Sequence, residues 1–309
     1  MRVLVTGGAG FIGSHLSDAL IERGDEVMVV DDLSGAGREY LNPKADFVQF
    51  DIRSEDVAEL IRQRRPDAIS HHAAQMSVSR SVREPLFDED VNVKGSLNLL
   101  EAARQVGARF IFASTGGALY GETGNRPTPE SHRAWPVSPY GVSKLAFEHY
   151  LHCYRVEHQL SFAALRYANV YGPRQNPHGE AGVVAIFCLK LLAGQDAVIN
   201  GDGLYYRDYV HVDDVVTANL MALDSEVVGH FNVGTGQEAS VNEVFAALVS
   251  ELKVDAHAKH GPARSGDLRA ASLDSSLFQR TVGWQPQISL VKGLADTARW
   301  FQERHQNAG

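Results

Sequence analysis

The 309-residue sequence predicts an α/β fold, a doubly wound parallel sheet followed by a smaller, mixed α/β C-terminal lobe. Three observations lead there. Short runs rich in Val, Ile and Phe alternate with amphipathic runs through the first half, the pattern of a parallel sheet covered by helices. A glycine-rich turn separates the first such run from the first helical pattern. After Tyr167 the alternation loosens into loops rich in Gly, Pro and Asn, interleaved with further helical patterns.

Taken in order, strands are expected at 3–5, 27–30, 47–50, 68–70 and 110–112. Between the first two, Ile12, Leu16, Ala19 and Leu20 recur at helical spacing, and Gly24 offers a left-handed stop after Arg23. The next helix opens after Ser54, carries Glu55 and Asp56 in its positive first turn, buries Val57, Leu60 and Ile61, and must end before Pro66. A helix around Val93, Leu97 and Leu100 leads into the strand ending at Ser114, and another starts near Tyr140. Later helices are expected at 183–193, 242–252 and 291–303. The expected division is 1–168, completed by about 207–235, as one domain, with 169–206 and 236–309 forming the second lobe.

A net charge of -9 opposes a nucleic-acid backbone as partner but leaves room for a locally basic pocket that takes a small anion. Met1 leads directly into an apolar run and then glycines, so neither an export signal nor a membrane anchor is expected. Cys153 and Cys188 both fall in helical patterns where a small hydrophobe fits, which predicts a reducing, cytoplasmic setting. His149, His152 and His158 share one helix, but no carboxylate or cysteine joins them at metal-ligand spacing, and no metal is expected.

The stretch Thr6-Gly7-Gly8-Ala9-Gly10-Phe11-Ile12-Gly13 follows a strand and opens a helix, the context a dinucleotide-binding fingerprint requires, and it makes the sheet Rossmann-type. One glycine permits the tight turn, another lets the backbone approach a pyrophosphate at the helix N-terminus, and Gly13 lets helix and strand pack closely. Gly7, Gly10, Phe11, Ile12 and Gly13 are therefore candidate cofactor residues. Asp31, at the end of the second strand, can accept both ribose hydroxyls and repel a 2'-phosphate, which favours NAD over NADP. Asp32 reads as an ordinary turn acid.

A second constellation, Tyr140-Gly141-Val142-Ser143-Lys144, starts a helix after Ser138-Pro139, with Thr115 ending the preceding strand. Tyr140 and Lys144 share one helical face. A free phenol titrates near pH ~10, and using it as a base at neutrality requires about 4 kcal/mol of favourable field. An ammonium about 6 Å away contributes about 3 kcal/mol at an effective dielectric of about 20, and a cationic nicotinamide ring can supply the remainder. Tyr140 is the expected base, Lys144 its charged partner, and Thr115 a hydrogen-bond donor to the same substrate oxygen. Ser114 and His71 are expected to be structural.

With these residues in place, the chain resembles, over essentially its full length, the UDP-galactose (UDP-glucose) 4-epimerases of the extended short-chain dehydrogenase/reductases. The resemblance implies that Asp51 and Ile52 flank the adenine. It implies that His72, Ala73 and Ala74 offer backbone to the cofactor, that Asn92 lies near its ribose and that Tyr167 lies near the nicotinamide. It implies that Asn169 holds the sugar diphosphate, that Arg207 and Arg264 grip phosphate and that Asp267 takes the uridine ribose. Val183, Val198 and Asn200 join this substrate set; Ile199 and Asn200 stand where many relatives place an aromatic residue against uracil. Ala271, four residues after Asp267, is expected beside C2 of the sugar, leaving room for an N-acetyl group. Helices following Val93 and Ser143 resemble a four-helix dimer interface, so a homodimer is expected.

The two residues after Thr115 narrow the reaction. Dehydratase relatives carry acid and base carboxylates there, and decarboxylating relatives commonly carry Glu; Gly116 and Gly117 can do no proton chemistry. The expected activity is C4 epimerisation of a UDP-hexose, with tightly bound NAD regenerated in each cycle. Alternatives are an epimerase of UDP-glucuronate or another nucleotide sugar, an NAD(P)-dependent reductase or decarboxylase, and a non-enzymatic NAD-binding scaffold. An intact Thr115, Tyr140 and Lys144 argue against the scaffold.

Overall fold

The computed structural model describes residues 1–178, 182–263 and 267–307. In chain order the elements are β1 Arg2–Thr6, α1 Phe11–Glu22, β2 Glu26–Asp31, β3 Asp46–Gln49, α2 Glu55–Arg64, β4 Ala68–His71, α3 Val78–Arg83, α4 Pro85–Glu89, a π turn Asp90–Gly95, α5 Ser96–Val106, β5 Arg109–Thr115 and α6 Pro139–His158. They continue with β6 Phe162–Tyr167, β7 Asn169–Tyr171, α7 Val183–Leu192, β8 Val198–Asn200, β9 Tyr206–His211, α8 Val212–Asp224, β10 Gly229–Val233, β11 Glu238–Ser240, α9 Val241–Leu252, β12 Lys259–Gly261, β13 Ala270–Ala271, α10 Ser276–Val282 and α11 Leu290–Asn307.

Seven strands form one parallel sheet in the order β10-β6-β5-β4-β1-β2-β3. The reversal beside β1 makes it doubly wound, as the alternation predicts. Because side chains alternate across a strand, β1 feeds two cores. Val3 and Val5 pack with Leu16 and Leu20 of α1 and Val215 and Ala222 of α8, whereas Leu4 packs with Ile61 of α2, Leu99 of α5 and Phe147 of α6. The expected starts and stops recur: Ser54 caps α2 through Asp56 N–H, and α1 closes at Arg23 before Gly24 at φ +92°.

The C-terminal half adds a mixed sheet in which β9 lies between β11 and β13 and also pairs with β7, and a two-stranded ribbon of β8 and β12. Its core is separate, built from Phe187, Phe245, Leu248, Leu294 and Phe301 of α7, α9 and α11. One difference from the sequence pattern bears on the site. The helix expected around Val93 opens with a π turn, and α3 and α4, too short to show periodicity, precede it. After β9 the chain returns to the large sheet through α8 and β10, so β6 is not an edge strand.

Candidate active site

The turn after β1 is shaped by contacts that tolerate no side chain. Gly7 has φ +69°, and a Cβ there would stand 2.6 Å from the Ala73 nitrogen; on Gly13 it would stand 2.2 Å from the Gly7 carbonyl oxygen. Gly8, to which the fingerprint assigns no duty, lies so close to Val29 that a Cβ would come within 2.6 Å of its methyl. Gly10 caps α1 without a side-chain hydrogen bond, leaving the first-turn N–H groups behind Phe11, Ile12 and Gly13 for an anion. Asp31 borders this cradle, its carboxylate accepting Ala9 N–H at 3.0 Å and Leu33 N–H at 2.8 Å while burial raises its pKa. Asp32 serves as the expected turn acid, accepting Ser34 N–H at 2.9 Å. An uncapped helix start, glycines that a Cβ would block and a strand-end carboxylate fit a dinucleotide diphosphate and its ribose.

Along the rim, Ile52 is buried against Gly95, and Asp51 is engaged by Arg53, which holds its carboxyl below the usual range. The backbone at His72 and Ala73 reaches Thr6, through His72 N–H to the Thr6 carbonyl at 3.0 Å and Ala73 N–H to its hydroxyl at 3.4 Å, and Ala74 follows half-buried. The His72 ring stacks on Tyr167, 6.5 Å between centroids, and the Tyr167 hydroxyl bonds Asn219. Burial, with the charge of Lys144, pushes His72 down to about 3, while its Nδ1 is buried without a partner among the described residues. His71 is structural, bonded to Thr6 and Ser96.

Thr115 at the end of β5 and Tyr140 in the first turn of α6 lie close enough for the threonine to lower the phenol's pKa. Lys144 is 3% exposed; its Nζ donates to the Ala113 carbonyl at 2.9 Å and lies 6.0 Å from the Tyr140 ring centroid. The field on Tyr140 departs from the sequence expectation. Burial, then the charge of Asp88, pushes the phenol up to about 12, with Thr115 pulling the other way. Burial likewise lowers Lys144 to about 8, opposed by Asp88 and Glu148. Both charged forms lose hydration, and the ammonium is turned to a carbonyl rather than to the phenol.

Asn92, expected beside the cofactor ribose, has its amide engaged by the chain itself. It accepts Gln75 N–H at 2.8 Å and faces the Gln75 carbonyl, Asp88 and Ser143 at 2.9, 3.1 and 3.3 Å. A Cβ on Gly116 would meet Leu273 at 2.3 Å, so its lack of a side chain serves packing. Gly117 borders Asn169, whose Oδ1 would lie 3.4 Å from a Cβ on it.

On the mixed sheet, Arg207 pairs with Asp267 and donates to the Tyr206 carbonyl at 2.8 Å. Ala271 is in register with Arg207 and shares its sheet face. Val183 starts α7 half-buried against the third core, Val198 is exposed on β8, and Asn200 is half-buried opposite Gly261. Arg264 lies outside the described residues.

The match to the NAD dependent epimerase/dehydratase family covers residues 3–234. The chain belongs to that family. It is 46% identical to a UDP-glucose 4-epimerase of Mycolicibacterium smegmatis, over 99% of this chain and 100% of that one. It superposes with a TM-score of 0.96 on the crystal structure of Thermotoga maritima UDP-glucose 4-epimerase with UDP-glucose, at 48% identity, covering 98% of this chain and 99% of the other. With Thermus thermophilus UDP-glucose 4-epimerase in complex with NAD the TM-score is 0.93 at 45% identity, covering 98% and 99%.

In this family member, sequence reasoning missed the buried polar support behind the reactive groups. Arg166 grips Glu148 through several hydrogen bonds, Ser114 donates to Glu148 at 2.6 Å, and Tyr120 receives Arg166 at 2.8 Å and donates to Asn232 at 2.9 Å. The usable signal was Glu148, one helical turn beyond Lys144 on a face that otherwise reads apolar.

Proposed function

We propose that this protein interconverts the C4 epimers of a UDP-hexose, UDP-glucose and UDP-galactose first, with the N-acetylated forms included in its range. The observation that carries the reading is Tyr140 next to Thr115 at the same end of the parallel sheet as the glycine cradle, with Gly116 and Gly117 following where a dehydratase needs carboxylates. The full-length likeness to UDP-glucose 4-epimerases supports it.

Thr115 holds the C4 oxygen, and Tyr140 accepts the C4 hydroxyl proton and returns it after the 4-keto sugar has turned over. Bringing a phenol near 12 into use at neutrality needs about 7 kcal/mol of favourable field. The Lys144 ammonium supplies about 3 kcal/mol of it. Bound NAD supplies the hydride acceptor and donor, and its cationic ring the rest of the field. Asp31 would hold the cofactor ribose. Asn169 and Arg207 would hold the sugar diphosphate, with Arg264 as a further phosphate ligand; Arg207 and Asp267 would exchange their mutual pairing for substrate.

Two lobes belong to this reading, 1–168 completed by about 207–235 and the remainder, supported by the separate cores although β9 itself joins the mixed sheet. So does a homodimer, supported by the exposed apolar residues Leu86, Val142, Tyr150 and Val156 on α4 and α6. A reducing, cytoplasmic setting is supported by free thiols at Cys153 and Cys188. Among the described residues no helix is long and apolar enough to cross a membrane. The deciding experiment incubates the protein separately with UDP-galactose, UDP-N-acetylgalactosamine and UDP-glucuronate, followed by chromatography. Conversion of UDP-galactose to UDP-glucose is expected; turnover of UDP-glucuronate alone would replace this reading.

A further inference from the structure

The proton transfer at C4 makes no use of Asp88, a carboxylate that is 1% exposed on the five-residue helix α4. Among the described residues its hydrogen bonds come from two amides, Gln75 Nε2 at 2.7 Å and Asn92 Nδ2 at 3.1 Å. Neither brings a positive charge. A carboxylate removed from water costs several kcal/mol unless a cation answers it. The buried ammonium that feels Asp88 is Lys144, where Asp88 and then Glu148 are the charges that oppose burial. Glu148 differs, because Arg166 answers it directly through Nε and Nη2. Asp88 is also linked mechanically to the reactive helix: Asn92 reaches Ser143 Oγ at 3.3 Å, and that hydroxyl donates to the Tyr140 carbonyl at 2.9 Å.

Other charges surround the pair. From α3, Arg80 is bonded to Glu84, and Arg83 has interactions of its own. The π turn brings Asp90 and Lys94, paired with each other, with Arg53 also on Asp90. From α6 come Tyr140, Lys144 and Glu148. From the end of β4 come the imidazoles of His71 and His72, both held neutral by burial. We propose that Asp88 is the buried counter-charge of Lys144, a positioning residue that keeps the ammonium charged and, through Asn92 and Ser143, fixes the first turn of α6. This role rests on the reading of Tyr140 as base and Lys144 as its charged partner.

Asp88→Asn keeps the shape and removes the charge. Both the phenol and the ammonium then release protons more readily, so both limbs of the kcat–pH profile move to lower pH, by roughly one pH unit. Asp88→Glu brings them back towards the wild-type positions. Tyr140 is read without turnover, as the tyrosinate absorbance that each protein loses on Tyr140→Phe substitution, and it titrates lower in the Asp88→Asn background. If the phenol titration and the basic limb move while the acid limb stays, the counter-charge stands and the reading of Tyr140 as base fails; a basic limb that stays in place overturns the counter-charge. If neither moves while kcat falls, Asp88 is a packing residue and the proposal is overturned. Should Asp88→Asn not fold, carboxyl 13C NMR of the wild type decides: an ionised Asp88 at pH 7 supports the counter-charge, and a protonated one overturns it.

Discussion

Tyr140 and Ala271 mark the two ends of what single residues decide here. Tyr140→Phe removes the proton acceptor and almost no volume, so the protein should fold and retain NAD while kcat falls by roughly two to four orders of magnitude. Near wild-type epimerisation, measured from UDP-galactose, would remove Tyr140 from the mechanism. Ala271 shares a sheet face with Arg207, and a large side chain there should crowd the sugar's C2 substituent. Ala271→Tyr is expected to lose UDP-N-acetylglucosamine and largely keep UDP-glucose; parallel loss of both in side-by-side assays would mean that position 271 is not the gate. Residues marked by strand ends and helix starts were placed by the sequence where the structure has them: the glycines of the turn after β1, Asp31 ending β2, Thr115 ending β5, and Tyr140 and Lys144 in the first turns of α6. Residues whose duty depends on partners far along the chain were not legible there. Glu148 finds Arg166 and Ser114, and Asn92 finds Gln75 and Ser143, only after folding brings them together.

At the level of elements, local signals carried α1, α2 and α6, each with an apolar stripe and a start or stop residue of suitable type. The π turn at Asp90–Gly95 escaped because its difference from an α-helix lies in hydrogen-bond register, which leaves the apolar spacing nearly unchanged. β7, β8, β12 and β13, two or three residues long, are too short to show alternation. Among the elements, the turn between β1 and α1 gives the sharpest test. The atom a Cβ on Gly13 would strike is the Gly7 carbonyl, which is backbone and cannot rotate away. Gly13→Ala should therefore cost roughly 1–3 kcal/mol or more and release NAD on gel filtration. Full cofactor retention with an unchanged melting temperature would show that this packing is looser than the 2.2 Å approach requires.

For the molecule as a whole, the buried Lys144 links stability to pH. Its folded pKa of about 8 lies below the ordinary lysine value of 10.5, so the folded state carries the cost of a buried charge below pH 8 and sheds it as pH rises towards 10.5. Stability of the cofactor-free protein should therefore rise with pH through that window, and Lys144→Met, which removes the titrating ammonium and leaves Asp88 without its counter-charge, should flatten the rise. Denaturant melts across the window from 8 to 10.5 check this; an equal rise in Lys144→Met would contradict this account. The order of strands in the large sheet has a consequence for how the protein is born. β10 pairs with β6 but is translated only after β7, β8, β9 and the helices among them. At roughly 5–20 residues per second, several seconds of synthesis separate the two strands. Throughout that interval the nascent chain presents β6, apolar and unpaired on one side, as an open edge to whatever meets it at the ribosome. The strand that bears Arg166 and Tyr167 is thus the point at which an interrupted translation product should be most prone to aggregate or to be held by a chaperone.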